Sequence, residues 1–395
     1  MSAPGDAKIK NEITSAPLAG FRIISLAEQY PGPLATMLLA DLGAEVILVE
    51  RPVDGDPSRR FEGHFEALNR NKKSVAINLK SKEGRNAFLR LIDGSDALIE
   101  GFRPGVMERL NLGQETLRER QPELVFVSVS SFGQTGPRST VAGHDLSIQG
   151  AAALIDDPPN GEMLPPRMAL ADIASGMFSS LGIVVALLAR VTSGKGAFVD
   201  VSMYDSVVCW MAPFLVPEMN GLTPAPLPPS DPGYGVFKCA NNQRVTISIA
   251  GEDHMWKELC LLLGLEQFSM LTEKERIARR NEISPPLRKA LSVHSLEWIS
   301  TRLEERKIAF GPILKLSDIP EDPQIIARQM IAKVISDTGA TRRYVRQPLL
   351  FDGHLSQIMS AAPRLGEHTI EILTALGYSI EEQETLFATG AVYKG

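Results

Sequence analysis

The chain has 395 residues, 44% of them hydrophobic and 22% charged, with 41 basic side chains against 47 acidic ones for a formal net charge of −6. That length exceeds the usual single hydrophobic core, so a soluble globular protein of two or more domains is expected. The acidic balance argues against a nucleic-acid binder, which carries a basic field. Three cysteines without CxxC spacing, Cys209, Cys239 and Cys260, argue against structural zinc and for a reducing, cytoplasmic compartment.

Residues 1–17 are small and polar, with Lys8 and Lys10 offset by Asp6 and Glu12 and no apolar run behind them, which is not a secretory signal. A β-rich run at 20–26 leads to Pro31-Gly-Pro-Leu, which opens a helix over 35–42 with proline in its first turn. Strands are predicted at 43–50 and 74–79, an amphipathic helix at 82–92, and further strands at 97–100 and 124–130. Strands separated by helical segments with short links indicate a parallel, Rossmann-like open sheet. In such sheets ligands bind beyond the carboxyl ends of the strands. The most apolar run, 177–189, is too short to span a bilayer and reads as a buried helix, so no membrane partner is expected. From Pro213 to Pro232 the chain is proline-rich, with Pro217, Pro224, Pro226, Pro228 and Pro229 between, which marks a linker into a second unit. That unit starts with strand-like runs at 235–239 and 244–249 around Asn241-Asn242, followed by helices from 252 to about 306. The tail carries a strand-like run at 343–346 and a final helix at 369–377.

Asp172 is the most informative residue. Met168, Ala169, Leu170, Ala171 and Ile173 leave it almost no polar sequence neighbours. Such a carboxylate is either satisfied by backbone N–H groups, as a helix N-cap, or held ready for chemistry. His144, in Gly143-His144-Asp145, is the matching lone imidazole, with structural and acid/base roles both open. Neither GxGxxG nor Walker A is present, and the histidines lack metal-ligand spacing. His64, His254, His294, His354 and His368 are expected at the surface. Three cationic features lie near the sheet: Arg51 after the strand ending Val49-Glu50, Asn71 and Lys72 in Asn69-Arg-Asn-Lys-Lys-Ser74, and Arg103 in Glu100-Gly-Phe-Arg-Pro-Gly105. Cations at strand ends suit a phosphorylated or nucleotide-like ligand, and their loops are expected to converge at one sheet edge. Gln134, in the turn Gly133-Gln-Thr-Gly136, allows close backbone approach to a ligand.

Taken in order, these segments resemble the family III CoA transferases, the group that includes formyl-CoA transferase, carnitine CoA transferase and α-methylacyl-CoA racemase. The matching pieces are Pro31-Gly-Pro, Leu39-Ala-Asp-Leu-Gly-Ala-Glu-Val, Val49-Glu-Arg-Pro52, Asn69-Arg-Asn-Lys-Lys-Ser and Glu100-Gly-Phe-Arg-Pro-Gly-Val. They continue through Phe132-Gly-Gln-Thr-Gly-Pro, Ala171-Asp172, Ser193-Gly-Lys-Gly and Asp200-Val-Ser-Met-Tyr-Asp205. The resemblance implies a Rossmann-like large domain over 18–210 completed by 335–395, a linker at 211–234, a smaller α+β domain over 235–334, and two identical subunits interlocked like links of a chain. It implies no permanent cofactor, with a CoA thioester and a carboxylic acid as substrates. Arg51, Asn71, Lys72 and Arg103 match positions at the nucleotide end of CoA, and Gln134 is expected beside it.

Asp172 matches the family's catalytic aspartate. In the transferases this residue attacks the donor thioester, forms an aspartyl-acyl anhydride and then an aspartyl-CoA thioester. In the racemases it works with a histidine as an acid/base pair about the α-carbon. His144, and Glu252 where racemases carry a glutamate, favour the second branch. Gln149, the Asn69-to-Ser74 segment, Gly311-Pro-Ile and Asp322-Pro-Gln-Ile-Ile-Ala-Arg328 favour the first. Tyr30 departs from the glutamine of formyl-CoA transferases. The balance favours an acyl-CoA:carboxylate CoA transferase, with the racemase and a non-catalytic CoA-binding subunit of a heteromeric transferase as alternatives.

Overall fold

The computed structural model describes residues 16–155, 166–224, 230–336 and 339–395. Most of the expected N-terminal extension, and Pro226, Pro228 and Pro229 of the proline-rich stretch, lie outside the described residues. The chain divides into two compact units, one running to Ala212 and resuming at Ala327–Gly395, the other spanning Pro213–Ile326.

The first unit is built on a seven-stranded sheet. Its parallel members are β1 (Arg22–Ser25), β2 (Glu45–Glu50), β3 (Lys72–Ile77), β4 (Ala97–Glu100), β5 (Val125–Ser130) and β6 (Phe198–Ser202). They lie in the order β3-β2-β1-β4-β5-β6, and Val392–Tyr393 closes the β3 edge antiparallel. That parallel order is the doubly wound one, whose direction of winding reverses between β1 and β4. The strands are apolar on both faces because both are covered. Alternate residues part company accordingly. Ile24, Ile47 and Val75 pack with Phe88, Leu91, Ile372 and Leu386 on one side. Ile23, Val46 and Val127 pack with Leu39, Ile183 and Leu187 on the other.

The helices of this unit are α1 (Pro31–Ala40), α2 (Glu62–Asn69), α3 (Lys82–Ile92), α4 (Val106–Arg109), α5 (Gln114–Arg120), α6 (Asp145–Ala151), α7 (Leu170–Ser193) and α8 (Met203–Trp210). Pro31 starts α1, where its missing N–H costs nothing. Ser81 caps α3 by accepting from Gly84 N–H at 3.0 Å. The helix α7 has 24 residues and ends at Gly194 in the left-handed conformation, φ 63°. It is longer than the run at 177–189, and it is not wholly buried. By length and composition it could cross a membrane, yet one face packs on α1 and the sheet while Leu181, Leu188 and Val191 stay exposed.

The second unit carries an antiparallel three-stranded sheet of Tyr234–Lys238, Arg244–Ser248 and Phe310–Pro312. Helices Asp253–Leu262, Arg280–Ser292 and Leu296–Glu305 cover it, with Trp256, Phe237, Ile247, Leu287 and Leu303 in the core. The fully buried guanidinium of Arg276 pairs with Asp231 at 2.8 Å. Toward the C-terminus the helix Thr369–Ala375 is not the last element. Ile380–Ala388 and the strand Val392–Tyr393 follow it.

Candidate active site

A cavity of about 610 Å³ opens at the carboxyl ends of β1, β4 and β5, where the winding direction reverses. Its walls come from the first unit and include Tyr30, Arg60, His64, Arg103, His144 and Asp172.

Asp172 is not the N-cap of α7. Ala169 holds that position and has no side chain to cap with, so the first-turn N–H groups turn to a neighbour. Asp145 supplies the acceptor: its Oδ1 takes Ala171 N–H at 2.8 Å and Asp172 N–H at 3.4 Å. Its Oδ2 takes the Gln149 amide at 2.6 Å, and that amide also reaches Met168 O at 3.1 Å. The helix end is therefore satisfied by Asp145, and the Asp172 carboxyl is left facing the cavity. Burial, with the nearby Asp145 carboxylate adding to it, pushes Asp172 from the ordinary 3.8 up to about 7. Burial and then the charges of Asp172 and Asp145 raise the Tyr30 phenol as well. A half-ionised carboxyl in a pocket, beside a protonated phenol, can act as a nucleophile or as an acid/base group.

His144 lies on the same wall. It is the N-cap residue of α6, where its N–H donates to Ser147 Oγ at 2.9 Å. Below Tyr30 the chain makes a strained turn. Gln29 sits at φ 69°, in the left-handed region that side chains disfavour. Asp56 holds it there, accepting Gln29 N–H at 3.1 Å and Ser58 N–H at 2.7 Å. His64, expected at the surface, instead packs against Tyr30 with ring centroids 5.3 Å apart, its Nε2 3.2 Å from Gln29 O. His368 also has a structural partner, its Nδ1 accepting Ser74 N–H at 3.2 Å.

The expected cationic loops come together only in part: Arg103 and Arg51 stand at the cavity, while Lys72 and Asn71 are bonded to the protein itself. Arg103 lines the cavity. Arg51 lies behind the wall, paired at 3.3 Å with Glu28, which does line it. Parallel pairing of β2 with β3 sets Val46 opposite Lys72 and Glu50 opposite Ala76. Lys72 thus starts its strand some 16 Å from the carboxyl end at Ile77, at about 3.3 Å per residue. Its buried Nζ donates to Pro33 O and Asn69 Oδ1, both at 2.9 Å. Asn71 stitches down residues 357–360, its Oδ1 accepting Met359 N–H at 2.7 Å and its amide donating to Gln357 O at 2.8 Å. Gln134 donates its backbone N–H to Asp200 at 2.9 Å and lines a separate small cavity with Glu100 and Arg103. There burial pushes Glu100 up to about 7. Glu252 belongs to the second unit, where it accepts Ala250 N–H at 2.7 Å.

Sequence reasoning missed Asp145, Gln29, Arg60 and His64. The signal for Asp145 was available, since Asp145 and Gln149 stand four apart on one helix face.

A sequence profile of CoA-transferase family III matches residues 18–369. An acyl-CoA transferase of Fusarium pseudograminearum is 31% identical, over 92% of this chain and 86% of its own. A succinate–glutarate CoA-transferase of Agrobacterium fabrum is 30% identical, over 91% and 96%. Among solved structures, a CAIB/BAIF family protein from Brucella suis superposes with a TM-score of 0.81 at 28% identity, covering 91% of this chain and 99% of that one. The pocket of Asp172 thus lies in a chain that belongs to CoA-transferase family III and is a CoA transferase.

Proposed function

We propose that this protein moves CoA from an acyl-CoA to a free carboxylic acid through covalent intermediates on Asp172. The observation that carries the reading is the Asp172 carboxyl itself, turned into a 610 Å³ cavity and raised to about 7 by its burial. A carboxylate oxygen of Asp172 attacks the donor thioester carbon, the C–S bond breaks, and CoA thiolate leaves an aspartyl-acyl anhydride. The thiolate attacks the aspartyl carbon, releasing the donor acid and forming an aspartyl-CoA thioester. The acceptor carboxylate displaces the thiolate to form a second anhydride. The thiolate then takes the acceptor acyl group and frees Asp172. Arg103 on the wall and Arg51 behind it are the cations for the CoA phosphates. The compartment is cytoplasmic, in keeping with free Cys209, Cys239 and Cys260.

His144 on the same wall supports a second reading, proton exchange at the α-carbon with Asp172 as partner. Trapping separates the two. Wild type incubated with acyl-CoA and hydroxylamine should be modified at Asp172, and Asp172→Ala should be unmodified and inactive while keeping its CoA affinity. Solvent deuterium entering the α-carbon with no acceptor and no trapped adduct would establish the racemase instead. Neither adduct nor exchange would leave a CoA-binding subunit without chemistry.

The same reading includes an interlocked homodimer. Met177, Leu181, Val185 and Leu188 recur at helical spacing along α7 and are all more than 45% exposed, an apolar stripe suited to a partner subunit.

A further inference from the structure

Of the cationic side chains on the cavity wall, Arg60 is the one whose surroundings are built to present it. The segment Pro57–Arg60 is a single 3-10 turn capped by Asp56. Successive side chains on such a turn diverge by roughly 120°. Arg59 takes the inward direction. It grips the buried Glu50 with two bonds, Nε to Oε2 at 2.7 Å and a terminal nitrogen to Oε1 at 2.6 Å. Its other terminal nitrogen reaches Pro363 O at 3.1 Å, and its guanidinium lies 3.9 Å over the Phe65 ring. Glu50 is held in turn by Ser74 Oγ at 2.5 Å and Asp56 N–H at 3.0 Å. With Arg59 anchored in this way, Arg60 is left for the cavity.

The Arg60 guanidinium rests 4.8 Å over the Phe61 ring, which also lines the cavity. Among the described residues it makes no ion pair, although Arg59, its neighbour, is fully engaged. A planar, stacked guanidinium with free N–H groups is a receptor for a carboxylate, which it can take with two parallel bonds. It shares the cavity with Asp172, whose chemistry consumes one carboxylate of the acceptor.

We infer that Arg60 binds the second, non-reacting carboxylate of the acceptor, so that the substrate class is short-chain dicarboxylic acids. This rests on the transferase reading above. The apolar walls of Phe61, Val141, Ala142 and Met203 suit a methylene chain between the two ends. A relative of Agrobacterium fabrum, named for succinate and glutarate, and one of Acetobacter aceti, named for oxalate, each carry dicarboxylates in their names.

The test compares glutarate with pentanoate, acids of equal chain length that differ by one carboxylate, using acetyl-CoA and succinyl-CoA as donors. Wild type should prefer glutarate. Arg60→Gln should lower kcat/KM for glutarate roughly 10- to 100-fold, the effect of a lost charge-assisted hydrogen bond, with pentanoate and the CoA dissociation constant changed less than about threefold. Arg60→Lys should fall between them. Equal losses for both acids, or weakened CoA binding, would overturn the subsite while leaving the transferase intact, and would assign Arg60 to a CoA phosphate. Transfer to neither acid by wild type, with Asp172 still trapped by the donor, would overturn the dicarboxylate subsite alone, whereas no trapped adduct would overturn the covalent transferase reading and the subsite with it.

Discussion

Replacing Asp172 with asparagine should make the protein more stable above neutral pH and no more stable in acid. Burial raises the folded-state value to about 7 from an ordinary 3.8. Between those two values the folded protein therefore holds a proton that the unfolded chain has released. Stability then falls as pH rises through that window and is flat above it. At about 1.36 kcal/mol per decade the ionised carboxylate costs the fold up to about 4 kcal/mol. Of that, about 3 kcal/mol develops between pH 5 and pH 8. Asparagine keeps the shape and removes both the desolvated charge and its repulsion from Asp145. Urea unfolding of wild type and Asp172→Asn at the two pH values, at one protein concentration, measures the difference directly. A variant whose stability relative to wild type is the same at pH 5 and pH 8 would show that Asp172 is not a strained, half-ionised carboxyl. The same titration should appear in catalysis, since only the ionised form attacks a thioester: turnover should rise with pH through about 7.

Two further outcomes follow from packing. Gly176→Ala should destabilise by about 1–3 kcal/mol, because the new Cβ would lie 2.8 Å from Pro31 O and 3.0 Å from Leu34 Cδ2. An alanine that stabilised the protein, as helix propensity alone dictates, would contradict the close approach of α1 and α7. Light scattering at micromolar concentration should give twice the 43.0 kDa of one chain, with unfolding dependent on concentration. A 43.0 kDa species would remove the homodimer.

Much of the fold was legible because its signals are local. Helix Lys82–Ile92 and strand Ala97–Glu100 fall where their hydrophobic patterning sets them. The strand Phe198–Ser202 was not expected, and only its Asp200-Val-Ser part entered, as a piece of family likeness; its sequence alternates weakly, and pairing with β5 makes it a strand. Asp172 and His144 could be singled out as lone polar groups in apolar company. The roles of Lys72 and Asn71 could not, because both depend on partners far along the chain or across a helix. Lys72 Nζ ends on Pro33 O, and Asn71 on residues beyond 356. A cation before a strand looks the same in sequence whether it faces ligand or protein. Only the parallel register decides at which end of the sheet it stands.

The strand that finishes the sheet has a consequence for biosynthesis. Ile77 of β3 finds its antiparallel partner in Val392, about 300 residues further along. At 5–20 residues per second, a ribosome needs on the order of 15 to 60 s to make the chain between them. Throughout that interval the β3 edge is unpaired, an apolar template open to other strands. The second unit, encoded wholly within the gap, can fold first, while the first waits. Nascent chains stalled before residue 392 should therefore engage holdase chaperones, and release of the full chain should end that engagement.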